Sequence, residues 1–159
     1  MRLCEILGVE RILVDADGAK VKDKADALRT LARLLAPALA LEATHVEALL
    51  IERERLQSTG IGEGVAIPHT AVGEAETQAA AVILCRQGID FEAIDGGKVK
   101  IIFGVVGPKR ATGEHLRTLA RISRLLRDPA TREQLLAADS SAQVFDLIQT
   151  HDAKAEVKT

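Results

Sequence analysis

The chain has 159 residues and a formal charge of −2, with 21 Lys and Arg against 23 Asp and Glu. Three Phe and no Trp or Tyr leave almost no aromatic surface for stacking, which argues against single-strand nucleic-acid binding and against stacking-based sugar recognition. No apolar run approaches the ~18 residues of a membrane span, and the N-terminus lacks an apolar leader, so we expect one cytoplasmic domain without membrane insertion.

The first elements predicted along the chain are two amphipathic helices. The first begins behind Asp23 as N-cap and ends near Pro37, because apolar residues recur at helical spacing at positions 28, 31, 32 and 35. The second begins at Thr44, which forms a capping-box pattern with Glu47 ahead of an apolar stripe. Both helices precede every predicted strand.

Arg53 continues the apolar stripe of the second helix, since it follows Leu50 by three residues and Leu49 by four. This spacing predicts that its guanidinium faces inward, where a fork of donors could pair with the oxygens of an anion. The alternative is an arginine that extends past the edge of the core into solvent.

A glycine-rich segment follows and is predicted to be a loop. Gly60, Gly62 and Gly64 let the backbone adopt positive φ and approach a ligand, while Ser58 and Thr59 add hydroxyl donors. The residue order fits neither a P-loop nor a dinucleotide fingerprint. We expect this loop to bind an oxyanion such as a phosphoryl group. The alternative is that the glycines serve only to form a tight bend.

The rest of the chain predicts strands and then more helices. Residues 65–67, 79–85 and 99–106 are short apolar runs typical of buried strands, with an Asp-Gly-Gly turn at 95–97. A helix is predicted over 112–127. A second begins after Asp128 as N-cap, with Pro129 at the first helical position, and a third begins after Ser140, with Gln143 as its capping-box partner. This order predicts a layered α/β sandwich over 1–150, followed by a polar, frayed tail over 151–159.

Two histidines have neighbours that suggest a function. Pro68 fixes the backbone next to His69, so that the imidazole leaves the strand end in a restricted direction. His115 lies in the first turn of the helix that Thr112 is predicted to cap, where the helix dipole favours a neutral imidazole. For both histidines the alternative is an incidental position at the surface.

The histidines and cysteines of the chain give little support to a metal site or a redox function. Cys4 and Cys85 are far apart with no CxxC spacing, and we expect two inert thiols. If His69 and His115 were metal ligands, a third and a fourth ligand at recognisable spacing would be missing. We therefore expect neither a metal nor a cofactor.

Taken together, these segments resemble a known family. Arg53-Glu54 and the run from Ser58 to His69 resemble the active-site signature of enzyme IIA domains of the bacterial phosphoenolpyruvate phosphotransferase system, of the fructose/mannitol class. The stand-alone nitrogen-regulatory branch is the most similar. The segment 89–95 and His115-Leu116 also follow in the family's order, so the resemblance covers nearly the whole chain.

The resemblance implies a mixed β-sheet with helices on both faces and a phosphohistidine intermediate at His69. It places Arg53 and His115 beside that residue, and it implies a histidine phosphocarrier protein, HPr or its nitrogen-type paralogue, as the donor. An apolar rim formed by Ile61, Val65 and Ile67 would suit a transient protein interface. Three departures from the family pattern are Glu63 in place of Asn, Thr70 in place of Gly and Gln57 in place of Gly.

Three related functions remain open from the sequence. The first is a phosphocarrier in a regulatory, nitrogen-type branch, and the second is a sugar-uptake IIA that passes the phosphoryl group to a separate IIB component. The third is a binding module that regulates sensor kinases or potassium transport proteins by contact and is switched by phosphorylation. Nucleic acid is not an expected partner.

Overall fold

A computed structural model describes residues 2–157 of the chain. The strands in this range are β1 (Ile12–Asp15), β2 (Gly60–Gly62), β3 (Val65–Ala66), β4 (His69–Val72), β5 (Ala79–Ile89) and β6 (Val99–Pro108). The helices are α1 (Lys24–Leu39), α2 (Ala43–Leu56), α3 (Thr112–Arg127), α4 (Pro129–Ala137) and α5 (Ser141–Val157). Among these helices none is long and apolar enough to cross a membrane.

The six strands within residues 2–157 form one mixed sheet in the order β1-β5-β6-β3-β2, with β4 also paired to β6. β5 and β6 are antiparallel, whereas β1 runs parallel to β5, and β3 and β4 run parallel to β6. β3 and β4 lie one after the other along β6, separated by Ile67 and Pro68. Pro68 has no N–H for the ladder, although its carbonyl accepts from the Val105 N–H at 3.0 Å. His69 therefore starts a strand directly after this break.

Helices cover both faces of the sheet, with α1 and α2 on one side and α3, α4 and α5 on the other. Successive residues of β5 alternate between the two cores, as the pleat requires. Ala81 and Ile83 belong to the core under α1, and Val82 and Leu84 belong to the core under α3. The predicted layered α/β sandwich with a mixed sheet is confirmed.

Two helix boundaries differ from the sequence prediction. α1 continues through Pro37, because a proline in the last turn removes only one backbone bond and Leu39 beyond it is buried. α2 begins at Ala43, and the carbonyl of Glu42 accepts the first backbone bonds of the helix. Thr44 already lies inside the first turn, so the predicted capping box at Thr44 is wrong.

The caps of the later helices are mostly confirmed. Asp128 and Ser140 each accept a backbone N–H from the helix that follows. The extent predicted for α3 is also confirmed, but its N-cap is Ala111, and the Thr112 hydroxyl donates to the Lys109 carbonyl at 3.1 Å. Thr112 is therefore not the cap.

The tail predicted over 151–159 is helical as far as Val157. Asp152 explains the difference, because its carboxylate is buried, pairs with Arg121 of α3 and accepts the Leu3 N–H at 2.6 Å. A single buried acid in a polar sequence thus ties the last helix to the start of the chain. The prediction of a frayed tail is wrong for residues 151–157, and residues 158–159 lie outside the described part of the chain.

Candidate functional site

The two histidines singled out by the sequence lie side by side where β4 begins and β6 leads into α3. Their ring centres are 5.8 Å apart and the ring planes are tilted by 48°. Gly107, near the end of β6, lies against this site, since a Cβ there would lie 3.4 Å from Nδ1 of His115 and 2.8 Å from Cγ of Gln78. Both rings are half-buried. The structure therefore brings His69 and His115 into one site, as the sequence predicts.

A backbone carbonyl beside Pro68 fixes which nitrogen of His69 carries the proton. Nδ1 of His69 lies 2.7 Å from the carbonyl oxygen of Ile67. A carbonyl only accepts hydrogen bonds, so Nδ1 carries the ring proton and donates it to Ile67. The lone pair is then on Nε2, which points away from the backbone that holds the ring. His69 is thus oriented with Nε2 as the nitrogen that bears the free lone pair.

Burial keeps both imidazoles neutral near pH 7. Burial is the main cause that lowers the pKa of His69 below its usual 6.5, and the Arg53 guanidinium lowers it further, while the Ile67 carbonyl and the Glu54 carboxylate oppose the shift. The pKa of His115 is also lowered, first by burial and then by the repulsion that a protonated His69 would exert on it. A neutral His115 agrees with the sequence prediction, although the leading cause is burial.

Arg53 reaches the site, but from the rim of the core. Its side chain is half-buried, and Nη1 donates to the carbonyl of Gln57 at 3.0 Å just beyond the end of α2. The positive charge of Arg53 lowers the pKa of His69. The residue of α2 that turns into the core is the next one, Glu54, which is only 7% exposed.

Glu54 is the residue that sequence reasoning missed. Its carboxylate pairs with Nζ of Lys24 at 2.9 Å and accepts the N–H of Thr59 at 3.2–3.3 Å as well as the Thr59 hydroxyl. Lys24 also lies over the ring of Phe91, 4.8 Å from its centre. A signal was present, because Glu54 follows the buried Leu50 by four residues and so falls on the same face of α2.

The hydroxyls of the predicted phosphoryl-binding loop are already used inside the protein. Ser58 donates to the carbonyl of Phe91 at 3.0 Å, and Thr59 donates to Glu54. The N–H of Gly60 in turn donates to the Ser58 hydroxyl at 3.1 Å. In this structure both hydroxyl protons are therefore directed at partners inside the protein, and donation by Ser58 and Thr59 to a bound anion stays a prediction.

The glycines also form a hairpin where a loop was predicted. Gly60 approaches Ala93 so closely that a Cβ would lie 2.9 Å from its backbone, which explains the need for glycine. Gly62 ends β2 with φ of 97°, and Gly64 lies in the turn before β3 with φ of 76°. Because the hairpin leads back to His69 through β3, Gly60 lies at its near end and Gly64 at its far tip.

Glu63 occupies the tip of this hairpin with φ of 57°, a backbone conformation in which asparagine is better tolerated than glutamate. Its exposed carboxylate lies 3.5 Å from Nη2 of Arg132, a contact of small energetic value. We expect Glu63→Asn to raise the free energy of unfolding by about 1 kcal/mol, measured by urea denaturation. Glu63→Gln is the control, because it removes the charge and keeps the strain. An equal gain from both variants would refute the backbone explanation.

The arginine beside His69 gives a second prediction. Arg53→Gln should raise the pKa of His69, because a positive charge that opposes protonation of the ring is removed. An NMR titration of the imidazole protons measures this shift. Arg55→Gln, on the exposed side of the same helix turn, should leave the pKa of His69 in place. A His69 pKa that does not move in Arg53→Gln contradicts the influence of the Arg53 charge on this ring.

The remaining histidines and cysteines lie outside the site. His45 is 3.7 Å from Glu74, and His151 contacts Gln134 at 3.0 Å. Burial, with a smaller effect of Asp15, raises the pKa of the Cys85 thiol to about 12. Within the described residues no three His, Cys, Asp or Glu side chains are grouped so that they could hold a metal ion.

Comparison with known proteins assigns the chain to a family. A family model for the phosphoenolpyruvate-dependent sugar phosphotransferase system, EIIA 2, matches residues 5–151. The chain belongs to this EIIA type-2 family. A nitrogen regulatory protein of Bradyrhizobium diazoefficiens is 33% identical to this EIIA chain over 155 residues, which are 98% of this chain and 99% of that protein.

Two further matches describe the relatives of this EIIA chain. Nitrogen regulatory protein IIA-Ntr from Neisseria meningitidis has a crystal structure that matches with a TM-score of 0.84 and 33% identity, over 91% of this chain and 97% of that one. The fructose-specific EIIABC component of Bacillus subtilis is 39% identical over 108 residues, which are 68% of this chain but 17% of that larger protein. The resemblance to the nitrogen-regulatory branch is thereby confirmed.

Proposed function

We propose that this EIIA chain is a phosphocarrier that accepts a phosphoryl group on Nε2 of His69. The observation that carries the proposal is the bond from Nδ1 of His69 to the Ile67 carbonyl, because it leaves Nε2 with its lone pair in a half-buried site. The lowered pKa of His69 supports the same role, since the neutral, nucleophilic ring persists below the usual 6.5.

The transfer balances without loss of a proton from His69. The lone pair of Nε2 forms the new P–N bond while the bond between phosphorus and the donor histidine breaks, and that electron pair stays on the donor ring. A donor ring protonated on its other nitrogen leaves as neutral imidazole. The phosphorylated His69 ring then carries a positive charge, which the Ile67 carbonyl and the nearby Glu54 carboxylate stabilise.

Arg53 and His115 are the groups that would hold the phosphoryl oxygens. The guanidinium of Arg53 uses one of its five N–H donors on Gln57, so further donors remain for an anion. A neutral His115 can donate one N–H, and its ring centre is 5.8 Å from that of His69. These donors compensate the negative charge that arrives with the phosphoryl group.

Exposed apolar side chains around the site support a protein as phosphoryl donor. Leu56, Ile61, Ile94 and Leu116 are 80%, 52%, 71% and 60% exposed. Leu56 ends the helix that contains Arg53, and Leu116 follows His115 directly. Ile61 follows Gly60, whose carbonyl accepts the Ile94 N–H at 3.1 Å. Of the rim predicted from the sequence only Ile61 is exposed, because Val65 and Ile67 are buried in the core under α3. An apolar patch of this kind is typical of a protein-binding surface.

The donor that we propose is a histidine phosphocarrier protein, HPr or its nitrogen-type paralogue. The regulatory branch is the better supported one, because the relatives that this chain spans almost completely are named nitrogen regulatory proteins. The phosphorylated or unphosphorylated chain would then control target proteins such as sensor kinases or potassium transport proteins. The fructose-specific EIIABC relative favours a second candidate function, transfer to a separate IIB component in sugar uptake.

Incubation with a ³²P-labelled histidine phosphocarrier protein tests the proposal. We expect one phosphoryl group per chain, in a linkage that is labile to acid and stable to alkali. The purified IIB component of the source organism, added next, separates the two branches: loss of label to IIB indicates sugar uptake, and retention indicates the regulatory branch. A wild-type chain that takes no label overturns the proposal.

A further inference from the structure

A groove lies between the far end of the β2–β3 hairpin and the second half of α3, the helix whose first turn contains His115. It encloses about 240 Å³ and is lined by Ile61, Gly62, Glu63, Val65, Ser123, Leu126, Arg127 and Arg132. Leu126 and Val65 form a buried floor, while Ile61 on the hairpin side is half-exposed. The groove therefore has an apolar floor and is open to solvent.

One row of α3 leads from the reactive pair to the end of this groove. Leu116, Ala120, Ser123 and Arg127 recur at helical spacing and so share one side of the helix. Leu116 follows His115 directly and is 60% exposed. At a rise of about 1.5 Å per residue, Arg127 lies about 18 Å beyond His115 along the helix axis.

The charges along the groove are unbalanced. Glu63 and Arg132 pair with each other at 3.5 Å across its far end, and Arg132 also donates to the carbonyls of Leu126 and Arg127 at 2.8 Å. Arg127 is exposed and has no ion-pair partner among the described residues. The groove thus presents one uncompensated guanidinium next to an apolar surface.

We infer that this groove receives the phosphotransfer partner of the chain, and that Arg127 pairs there with a carboxylate of that partner. The inference rests on the proposed function and specifies the partner's chemistry: an apolar contact beside its reactive histidine and an acidic residue farther out, opposite the last turn of α3. This arginine–carboxylate pair would lie at the rim of the docking surface, where a charge mainly raises the association rate and fixes the register of docking. A bidentate arginine–carboxylate contact would do both.

A solvated arginine in the last turn of α3 is the competing explanation, because a cation there also suits the helix dipole. Arg124 supplies the matched control. It lies in the same helix end, is exposed and has no ion-pair partner among the residues described, but it does not line the groove. A general effect of charge or of the dipole must therefore appear equally at Arg124.

The test is the rate of ³²P transfer to His69 from the source organism's own histidine phosphocarrier protein, at about 20 mM and about 500 mM salt. We expect Arg127→Glu to lower the low-salt rate about tenfold, with most of the difference lost at high salt. Arg124→Glu should stay within about twofold of wild type, and Arg127→Lys should recover most of the rate. Thermal unfolding checks that every variant is folded.

Three results would overturn the inference while the proposed function stands. The first is a rate for Arg127→Glu close to that of wild type, and the second is an equal loss in Arg124→Glu. The third is a charge effect at Arg127 on binding to DNA or to anionic vesicles, without an effect on transfer. Failure of the wild-type chain to accept label is a different outcome, because it removes the proposed function itself.

Discussion

His69→Gln should take up no phosphoryl label and should remain folded. Glutamine lacks the imidazole lone pair that forms the P–N bond, and the described part of the chain places only one other imidazole, that of His115, at the site. Nδ1 of that ring is buried without a hydrogen-bond partner among the described residues. We expect a loss of at least about 10⁴-fold in labelling rate, comparable to removal of a catalytic nucleophile.

The control for this prediction is a histidine outside the site. His45→Gln should accept label at the wild-type rate, since His45 lies on the exposed side of α2 next to Glu74. His115→Asn should give an intermediate result, with a slower rate and the label still on His69. Label that persists in His69→Gln and disappears in His115→Asn would move the acceptor to the second histidine.

Glu54→Gln should produce the largest loss of stability among single substitutions at the site. The change removes the negative partner of Lys24, whose side chain is 17% exposed, and leaves its ammonium largely buried without a counter-charge. We expect the free energy of unfolding to fall by about 3 kcal/mol, measured by urea denaturation at pH 7. Transfer should slow as well, because Glu54 anchors Thr59, and Thr59 binds Ile67 just before Pro68 and His69.

A double variant separates the charge from the packing. Glu54→Gln with Lys24→Met removes both ions and should recover a large part of the lost stability, since an apolar pair of similar size avoids the buried charge. Glu52→Gln, on the exposed side of α2, should change stability by less than about 0.5 kcal/mol. A loss below about 1 kcal/mol in Glu54→Gln would show that the ion pair does not stabilise the loop.

The sequence predicts the α3 segment and the central strands well, because their signals are local. The extent of α3 follows from a long amphipathic period, and β5 and β6 contain apolar runs that only a buried strand accommodates. β1 and β4 have four residues each, and they become strands through pairing with β5 and β6. Such edge elements depend on tertiary partners more than on their own composition.

The residues of the site also differ in whether a local sequence signal predicts them. His69 and His115 are predictable because Pro68 and the start of a helix are local signals. Glu54 is not distinguished from Arg53 by the sequence, since its ion pair with Lys24 and its bonds to Thr59 form only in the folded chain. The internal acceptors of the Ser58 and Thr59 hydroxyls are unpredictable for the same reason, as they lie in a distant loop and on the preceding helix.

The central claim is that Nε2 of His69 carries the phosphoryl group, and ¹⁵N–³¹P NMR of the phosphorylated, ¹⁵N-labelled protein tests it most directly. We expect phosphorus coupled to Nε2 of His69, with Nδ1 of the same ring still protonated and bonded to the Ile67 carbonyl. Coupling to Nδ1 of His69, or to a nitrogen of any other histidine, would contradict the account.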